Sequence, residues 1–206
     1  MVRVIAYVDG FNLYFGLKES GYKKYYWLNI RLLAEKLLML NQELTFTKYF
    51  TARITDAPNK EKRQTTYIEA LETLRDFNDF EIYYGHYRKD PYECPHCRCV
   101  YKVPHEKMTD VNIATEMLLD ASNDKFDKAL LISADSDLVP PIKAIRNKYA
   151  EKGIVVAFPP GRYSADLESI ASSSLHVNRA KLAQSRFPDR VKKADGFVLE
   201  RPQEWS

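Results

Sequence analysis

Leu130-Leu131-Ile132-Ser133-Ala134-Asp135-Ser136-Asp137-Leu138-Val139-Pro140-Pro141 is the stretch whose reading decides the fold. The apolar run Ala129 to Ile132 reads as a strand buried on both faces of a parallel sheet. It stops at Ser133, and two carboxylates, Asp135 and Asp137, follow. Ile142, Ala144 and Ile145 then take up helical spacing, so the plan is strand, turn, helix. Ser136 or Asp137 is placed to cap that helix, and a proline suits its first turn. In open α/β sheets ligands bind outside the carboxyl ends of strands. Two acids there repel each other unless a cation lies between them, which points to a divalent-metal site. The plainer reading leaves Asp135 and Asp137 to cap the helix and solvate the loop.

Working outward, the same plan opens the chain. Val2 to Val8 is a central strand that ends at Asp9-Gly10-Phe11-Asn12, and Leu13 to Leu17 begin a short helix. Asn12 lies within reach of the same site, as a ligand or as an orienter of Asp9; its plainer role is an N-cap. Lys107 to Ser122 predicts a helix with Val111, Ala114, Met117, Leu118 and Ala121 inward. Asp110 stands in its first turn, where an acid also complements the helix dipole. Asp120 is nearly three turns further on, too far along the helix to share a site with Asp110.

The remaining segments keep a strand and helix rhythm. Asn29 caps a helix from Ile30 to about Leu40, and Leu44 to Ile54 is the second strand. Pro58 starts a long helix to about Phe77, whose Lys60, Lys62, Arg63 and Arg75 read as a solvated face. Phe80 to Tyr87, Phe126 to Ser133 and Gly153 to Phe158 are further strands. Ser164 caps a short helix to Ala171, and Ser174 to Val177 fits an edge strand.

Residues 88–106 break the rhythm. Cys94 and Cys97 have the C-x2-C spacing of half a zinc site, with Cys99, His96, His105 and His86 as the nearby further donors. A small structural Zn²⁺ hairpin is one expectation, and completion of the half motif across a homodimer is a second arrangement. A metal-free thiol turn, held by packing of Tyr87, Tyr92, Val100, Tyr101 and Val103, is the rival.

The totals bound the class. With 206 residues, 45% hydrophobic and 29% charged, the chain has the make-up of one soluble globular domain. The net charge of +3 permits nucleic acid as a partner without demanding it. Three clustered cysteines are no disulfide framework and fit a reducing, cytoplasmic setting. Val2 to Val8 is too short for a secretory signal, and no apolar run approaches the ~20 residues of a membrane span. We therefore expect a main domain over residues 1–178, with the insertion at 88–106, and an extension over 179–206 packed on it. Arg179, Lys181, Arg186, Arg190, Lys192 and Lys193 make that extension basic. It is placed either to contact phosphates or to lie as a docked, solvated arm, and its Phe197, Val198, Leu199 and Trp205 favour packing.

Asp9, Asp110, Asp135 and Asp137 thus gather at one edge of a parallel sheet, with Asn12 and Ser133 beside them. An all-oxygen set suits Mg²⁺ or Mn²⁺. Val8-Asp9-Gly10-Phe11-Asn12-Leu13, Glu106-Lys107-Met108-Thr109-Asp110-Val111-Asn112 and Ser133-Ala134-Asp135-Ser136-Asp137-Leu138 together resemble the three signature blocks of the NYN domain, the LabA-like branch of the PIN-like nucleases. The resemblance spans roughly residues 2–188 and implies a three-layer α/β/α domain with a metal-dependent ribonuclease site. Asp9, Asp110, Asp135 and Asp137 match the acidic positions of the family and Asn12 its polar one. Single-stranded RNA is then the expected substrate. A regulatory RNA- or protein-binding module on the same fold is the alternative. Some members of the branch are named as monooxygenases of a hydroxypyridine, which supplies a third reading. Metal-only oxygenases favour histidine ligands over an all-carboxylate set.

Overall fold

The computed structural model describes residues 1–55 and 57–205, with the backbone but not the side chains of residues 76–77, 87–90 and 102–106. The chain runs β1 (Val2–Asp9), α1 (Gly10–Glu19), α2 (Ile30–Lys36), β2 (Gln42–Thr51), α3 (Pro58–Glu72) and β3 (Phe80–Tyr84). A hairpin of β4 (His86–Glu93) and β5 (Val100–Lys107) follows, then α4 (Thr109–Ser122), β6 (Lys128–Ile132), α5 (Val139–Lys148) and β7 (Gly153–Phe158). The chain finishes with α6 (Ala165–Ile170), β8 (Ser173–His176), α7 (Arg179–Gln184), β9 (Arg190–Lys192) and β10 (Val198–Glu200). Among the described residues no helix is long and apolar enough to cross a membrane.

Six strands form one sheet in the order β3-β2-β1-β6-β7-β8, and every pairing is parallel. From β1 the chain builds outward to β2 and β3, then returns to lay β6 on the other side of β1. That reversal leaves a crevice between the carboxyl ends of β1 and β6, where α/β folds bind ligands. Val8 pairs with Ile132 at the last rung, so Asp9 and Ser133 follow on adjacent strands.

Strand alternation splits the core into two layers. Val4, Ala6, Val8, Leu130 and Ile132 face a cluster that includes Leu13, Leu33 and Ile68. Ile5, Tyr7, Ala129 and Leu131 face one that includes Ile113, Met117 and Ile142. Helices therefore cover both sheet faces, which makes the continuous apolar strands β1 and β6 stable only in the middle of three layers. Asn29 caps α2 by accepting from Leu32 N at 2.9 Å, and Ser164 caps α6 by accepting from Leu167 N. The second helix stops at Lys36 rather than near Leu40, and Leu40 is fully exposed.

Residues 179–205 lie against the first layer. Leu182, Phe187, Val191, Leu199 and Trp205 are part of its core. Trp27 Nε1 donates to the Pro188 carbonyl at 2.8 Å, and Trp205 packs against the rings of Tyr26, Trp27 and Tyr67. Arg63 pairs with Glu204 at 2.9 Å and Lys193 with Glu69 at 3.2 Å. Two of the tail's contacts are thus ion pairs to α3, and its short antiparallel β9–β10 hairpin has no counterpart in the sequence reading.

The inward face of α4 differs from the one expected. Ile113, Met117, Asp120 and Ala121 are buried, while Val111 and Leu118 are exposed. The cause is a buried ion cluster. Lys48, 5% exposed in the middle of β2, donates to Asp120 at 2.5 Å and to Glu116 at 2.6 Å, and the Tyr7 hydroxyl donates to Asp120 at 2.7 Å. Turning Asp120 onto Lys48 carries Val111 outward. Burial beside Asp120 pushes the Tyr7 phenol well above its ordinary pKa, so it stays a hydrogen-bond donor.

Removing one charge of this cluster strands the other in the core. Lys48→Met is expected to lower stability by about 3–5 kcal/mol, read as a fall in the urea midpoint followed by circular dichroism. Adding Asp120→Leu to that variant should recover much of the loss. An unchanged midpoint in Lys48→Met would show that the cluster is effectively solvated.

Candidate active site

Asp9 ends β1 and is 4% exposed. It is the N-cap of α1: its Oδ1 accepts from Asn12 N at 2.9 Å. Its Oδ2 accepts from the Ser133 hydroxyl at 2.9 Å, and Ser133 Oγ accepts from Asp135 N at 3.1 Å. Asn12 Oδ1 in turn accepts from Ala134 N at 3.1 Å. Two of these bonds, Ser133 to Asp9 and Ala134 to Asn12, stitch the loop after β1 to the loop after β6, and the other two fix each loop internally. Asn12 is therefore not the cap of α1; its amide side chain spans the crevice. Asp135, rather than Ser136 or Asp137, caps the helical turn Ser136–Leu138 that leads into α5, through Asp137 N at 2.9 Å.

Asp135 is half-buried and Asp137 exposed. Asp110 is half-buried in the first turn of α4, which the chain enters from β5 through Met108 at a left-handed φ of 79°. Asp120 is held by Lys48 at the far end of α4. Gly10 is required where α1 meets β2, since a Cβ there would lie 2.6 Å from the Tyr49 hydroxyl and 2.7 Å from the Phe50 carbonyl. A cavity of about 910 Å³ opens beside Gly10 and Phe11, between α1 and α3. Neither Gly10 as a close-approach position nor this cavity was anticipated. Gly10 directly after a strand-ending acid was the available signal for the first; the cavity joins segments too distant in sequence to leave one.

The electrostatics single out Asp9. Burial, with a smaller push from the charges of Asp110 and Asp135, raises its pKa from 3.8 to about 7 against the lowering effect of the Asn12 and Ser133 bonds. Asp9 therefore lies within electrostatic reach of both of these acids. Among the described residues no three His, Cys, Asp or Glu side chains are gathered closely enough to enclose a metal ion by themselves. That set still fits Mg²⁺, which keeps several waters and takes one or two direct carboxylates. A cation beside Asp9 would offset both the desolvation and the mutual repulsion.

At the hairpin tip, Cys94 is half-buried while Cys97 and Cys99 are exposed, and all three thiols are free. Cys94 N donates to the Cys99 carbonyl at 3.0 Å, which folds the loop back. Hydrogen bonds from Cys99 and Cys94 hold the Cys97 thiol below its ordinary pKa. The side chain of His105 lies outside the described residues. Tyr92 and Tyr101 face each other across the hairpin with ring centres 5.3 Å apart.

A carboxyl group whose folded pKa lies above its unfolded value binds its proton more tightly in the folded protein. Between about pH 4 and pH 7 the ionisation of Asp9 therefore destabilises the metal-free fold as pH rises, by on the order of 4 kcal/mol in total. In EDTA, wild type should lose stability relative to Asp9→Asn as pH is raised from 5 to 8. Parallel stability curves for the two proteins across that range would show that Asp9 ionises freely.

The sequence profile of the NYN domain matches residues 3–178. The chain is 27% identical, over 99% of its own length and 75% of the relative's, to 6-hydroxy-3-succinoylpyridine 3-monooxygenase HspA of Pseudomonas putida (strain DSM 28022 / S16). The crystal structure of a protein of unknown function from Vibrio parahaemolyticus RIMD 2210633 superposes with a TM-score of 0.55 at 18% identity, over 90% of this chain and 96% of that one. That likeness concerns the fold alone. The three-layer sheet with its acids at the β1–β6 crevice and the profile match over residues 3–178 place the chain in the NYN domain family, consistent with the PIN-like nuclease superfamily.

Proposed function

We propose that the protein is a metal-dependent endoribonuclease that hydrolyses phosphodiester bonds of single-stranded RNA. The observation that carries this reading is the buried Asp9 carboxylate, held at the β1–β6 switch point within electrostatic reach of Asp110 and Asp135. Asp9 and Asp135 would hold Mg²⁺ or Mn²⁺, with Asp110 and Asp137 acting on its waters. When bound, such an ion orients a water, lowers its pKa and neutralises charge on the phosphodiester. The chain's own groups supply the rest. Ser133 and the Asn12 backbone fix both oxygens of Asp9. Asn12, by holding Ala134, keeps Asp135 at a set distance from Asp9. Asp110, whose charge reaches Asp9, would take the proton of the attacking water as the bond to the leaving oxygen breaks. The Ser133 hydroxyl and the Asn12 N–H both donate to Asp9, which favours its ionised form against the cost of burial.

The HspA likeness supports a second reading, oxidation of a hydroxylated pyridine, because it extends over 99% of this chain. The hard carboxylate set favours the first, since oxygen-activating iron sites combine one carboxylate with two histidines. A binding module without catalysis is the third. Cleavage of end-labelled single-stranded and hairpin RNAs in Mn²⁺, Mg²⁺ or EDTA separates them. The expected result is metal-dependent cleavage, abolished in Asp135→Asn by roughly 10²-fold or more while the circular dichroism spectrum is unchanged. Cleavage by Asp135→Asn at the wild-type rate would remove the activity from this site. Hydroxylation of 6-hydroxy-3-succinoylpyridine by O2 in the presence of an added two-electron donor, one oxygen atom entering the ring and the other leaving as water, without RNA cleavage, would favour the second reading.

We further propose that Cys94, Cys97 and Cys99 clip the hairpin through a structural Zn²⁺, with His105 as the fourth donor. Hydrogen bonds from Cys99 and Cys94 lower the pKa of Cys97 and so favour the thiolate that Zn²⁺ prefers, and metal binding would draw the three sulfurs closer together than they stand here. Elemental analysis of untagged protein should give about one zinc per chain, lost in Cys94→Ser. No zinc, with an unchanged melting temperature in Cys94→Ser, would leave the Tyr92–Tyr101 packing to hold the hairpin alone.

A further inference from the structure

We infer that the cavity between α1 and α3 is a binding site for a planar aromatic ring joined to an anionic group, set beside the Asp9 crevice. Its volume of about 910 Å³ lies within the range of small-molecule sites, ~300–1,000 Å³. Two features of its lining define the ligand.

The first is an aromatic wall. Tyr14, Tyr26, Tyr67 and Trp205 all line the cavity. Tyr14 lies 5.1 Å from Tyr26, and Trp205 lies 5.8 Å from Tyr26 and 6.0 Å from Tyr67, measured between ring centres. Tyr14 is 39% exposed, so its ring still has surface to offer. Adjacent rings set at steep angles to one another, two pairs edge-to-face and one tilted, give a flat, polarisable ligand both faces and edges to pack on. Trp205 is supplied by the docked C-terminal segment, which gives that segment a role beyond stability.

The second is unbalanced positive charge. Lys18, Lys23, Lys60 and Arg63 line the cavity, against one acid, Glu204. Glu204 is already paired with Arg63 at 2.9 Å. Lys18 and Lys60 are exposed and form no ion pair with a carboxylate among the described residues. A neutral ring would leave these ammonium groups unused, whereas a phosphate or carboxylate on the ring would meet them. The floor is formed by Gly10, Tyr49 and Thr51, and Gly10 follows Asp9 directly. A ligand seated here therefore lies beside the acidic crevice, with its anion toward the cations.

Two sources carry this chemistry: one nucleotide of a bound RNA, or a free aromatic acid. The inference stands on the cavity itself, and it specifies the substrate subsite of either catalytic reading without depending on cleavage.

The test is calorimetric titration of the full chain in EDTA with uridine 5′-monophosphate, adenosine 5′-monophosphate, pyridine-3-carboxylate, uridine and inorganic phosphate. At least one of the three ring anions should bind about tenfold or more tightly than both uridine and phosphate. Lys18→Ala combined with Lys60→Ala, both exposed positions, should remove that advantage while leaving uridine unaffected. Asp9→Asn should keep it, which separates failure of this site from failure of the acidic one. Preference for the nucleotides assigns the cavity to RNA, and preference for the pyridine acid assigns it to a small substrate; both support the inference. Equal binding of uridine and its monophosphate, binding indifferent to the two lysines, or no binding of any ring anion at millimolar concentration would overturn it.

Discussion

Asp9 is an acid that the fold buries and then declines to neutralise. It lies where β1 ends beside β6, 4% exposed, and no lysine or arginine bonds to it among the described residues. Its bonds come from neutral groups, the Asn12 amide and the Ser133 hydroxyl, and its charged neighbours are acids. Such a group raises the free energy of the metal-free fold at neutral pH. A cation that fills the crevice converts that cost into affinity, because binding is strongest where the unbound state is least satisfied. The contrast with Asp120 is instructive. That acid is buried as deeply, yet it receives a lysine and a phenol and is settled as part of the core. One helix, α4, carries both outcomes: Asp110 toward the crevice and Asp120 toward Lys48.

The scaffold makes the crevice rigid from several directions. Register pairs Val8 with Ile132, so the two strand ends are level. The Asn12–Ala134 bond then locks the two loops to each other. Gly10 lets α1 start hard against Tyr49 and Phe50, which places the cap of α1 on Asp9. On the α1–α3 side the terminal residues close the structure through Trp205 and the Arg63–Glu204 pair. Loss of the tail would open the first core layer as well as the cavity, since Leu182, Phe187, Val191 and Leu199 belong to both the tail and that layer.

Much of this is written in short-range patterns. A strand followed at once by an acid marks Asp9 and Asp135, and the alternation of strands with helices marks the parallel sheet. Side chains whose partners are distant in sequence left no such trace. Asn12 looks like a cap because nothing nearby reveals Ala134, 122 positions away. The face of α4 was misjudged because apolar periodicity ranks Val111 and Leu118 above an aspartate. Burial of Asp120 is made favourable chiefly by partners distant in sequence, Lys48, 72 positions away on β2, and Tyr7 on β1. The tail showed its charges and two of its anchors, Leu199 and Trp205, while Phe197 and Val198, also expected to pack, are exposed. The partners of Trp205, Trp27, Tyr26 and Tyr67, lie elsewhere in the chain and left no trace near it.

The central claim is that the buried Asp9 carboxylate and its acidic neighbours form a site for a hard divalent cation. A crystal of the protein soaked in Mn²⁺ tests it most directly, through an anomalous difference map. The account predicts one strong peak in the β1–β6 crevice at coordination distance from an oxygen of Asp9 or Asp135, absent in Asp9→Asn. A featureless crevice in crystals that bind Mn²⁺ elsewhere, or a peak that persists in Asp9→Asn, would contradict it.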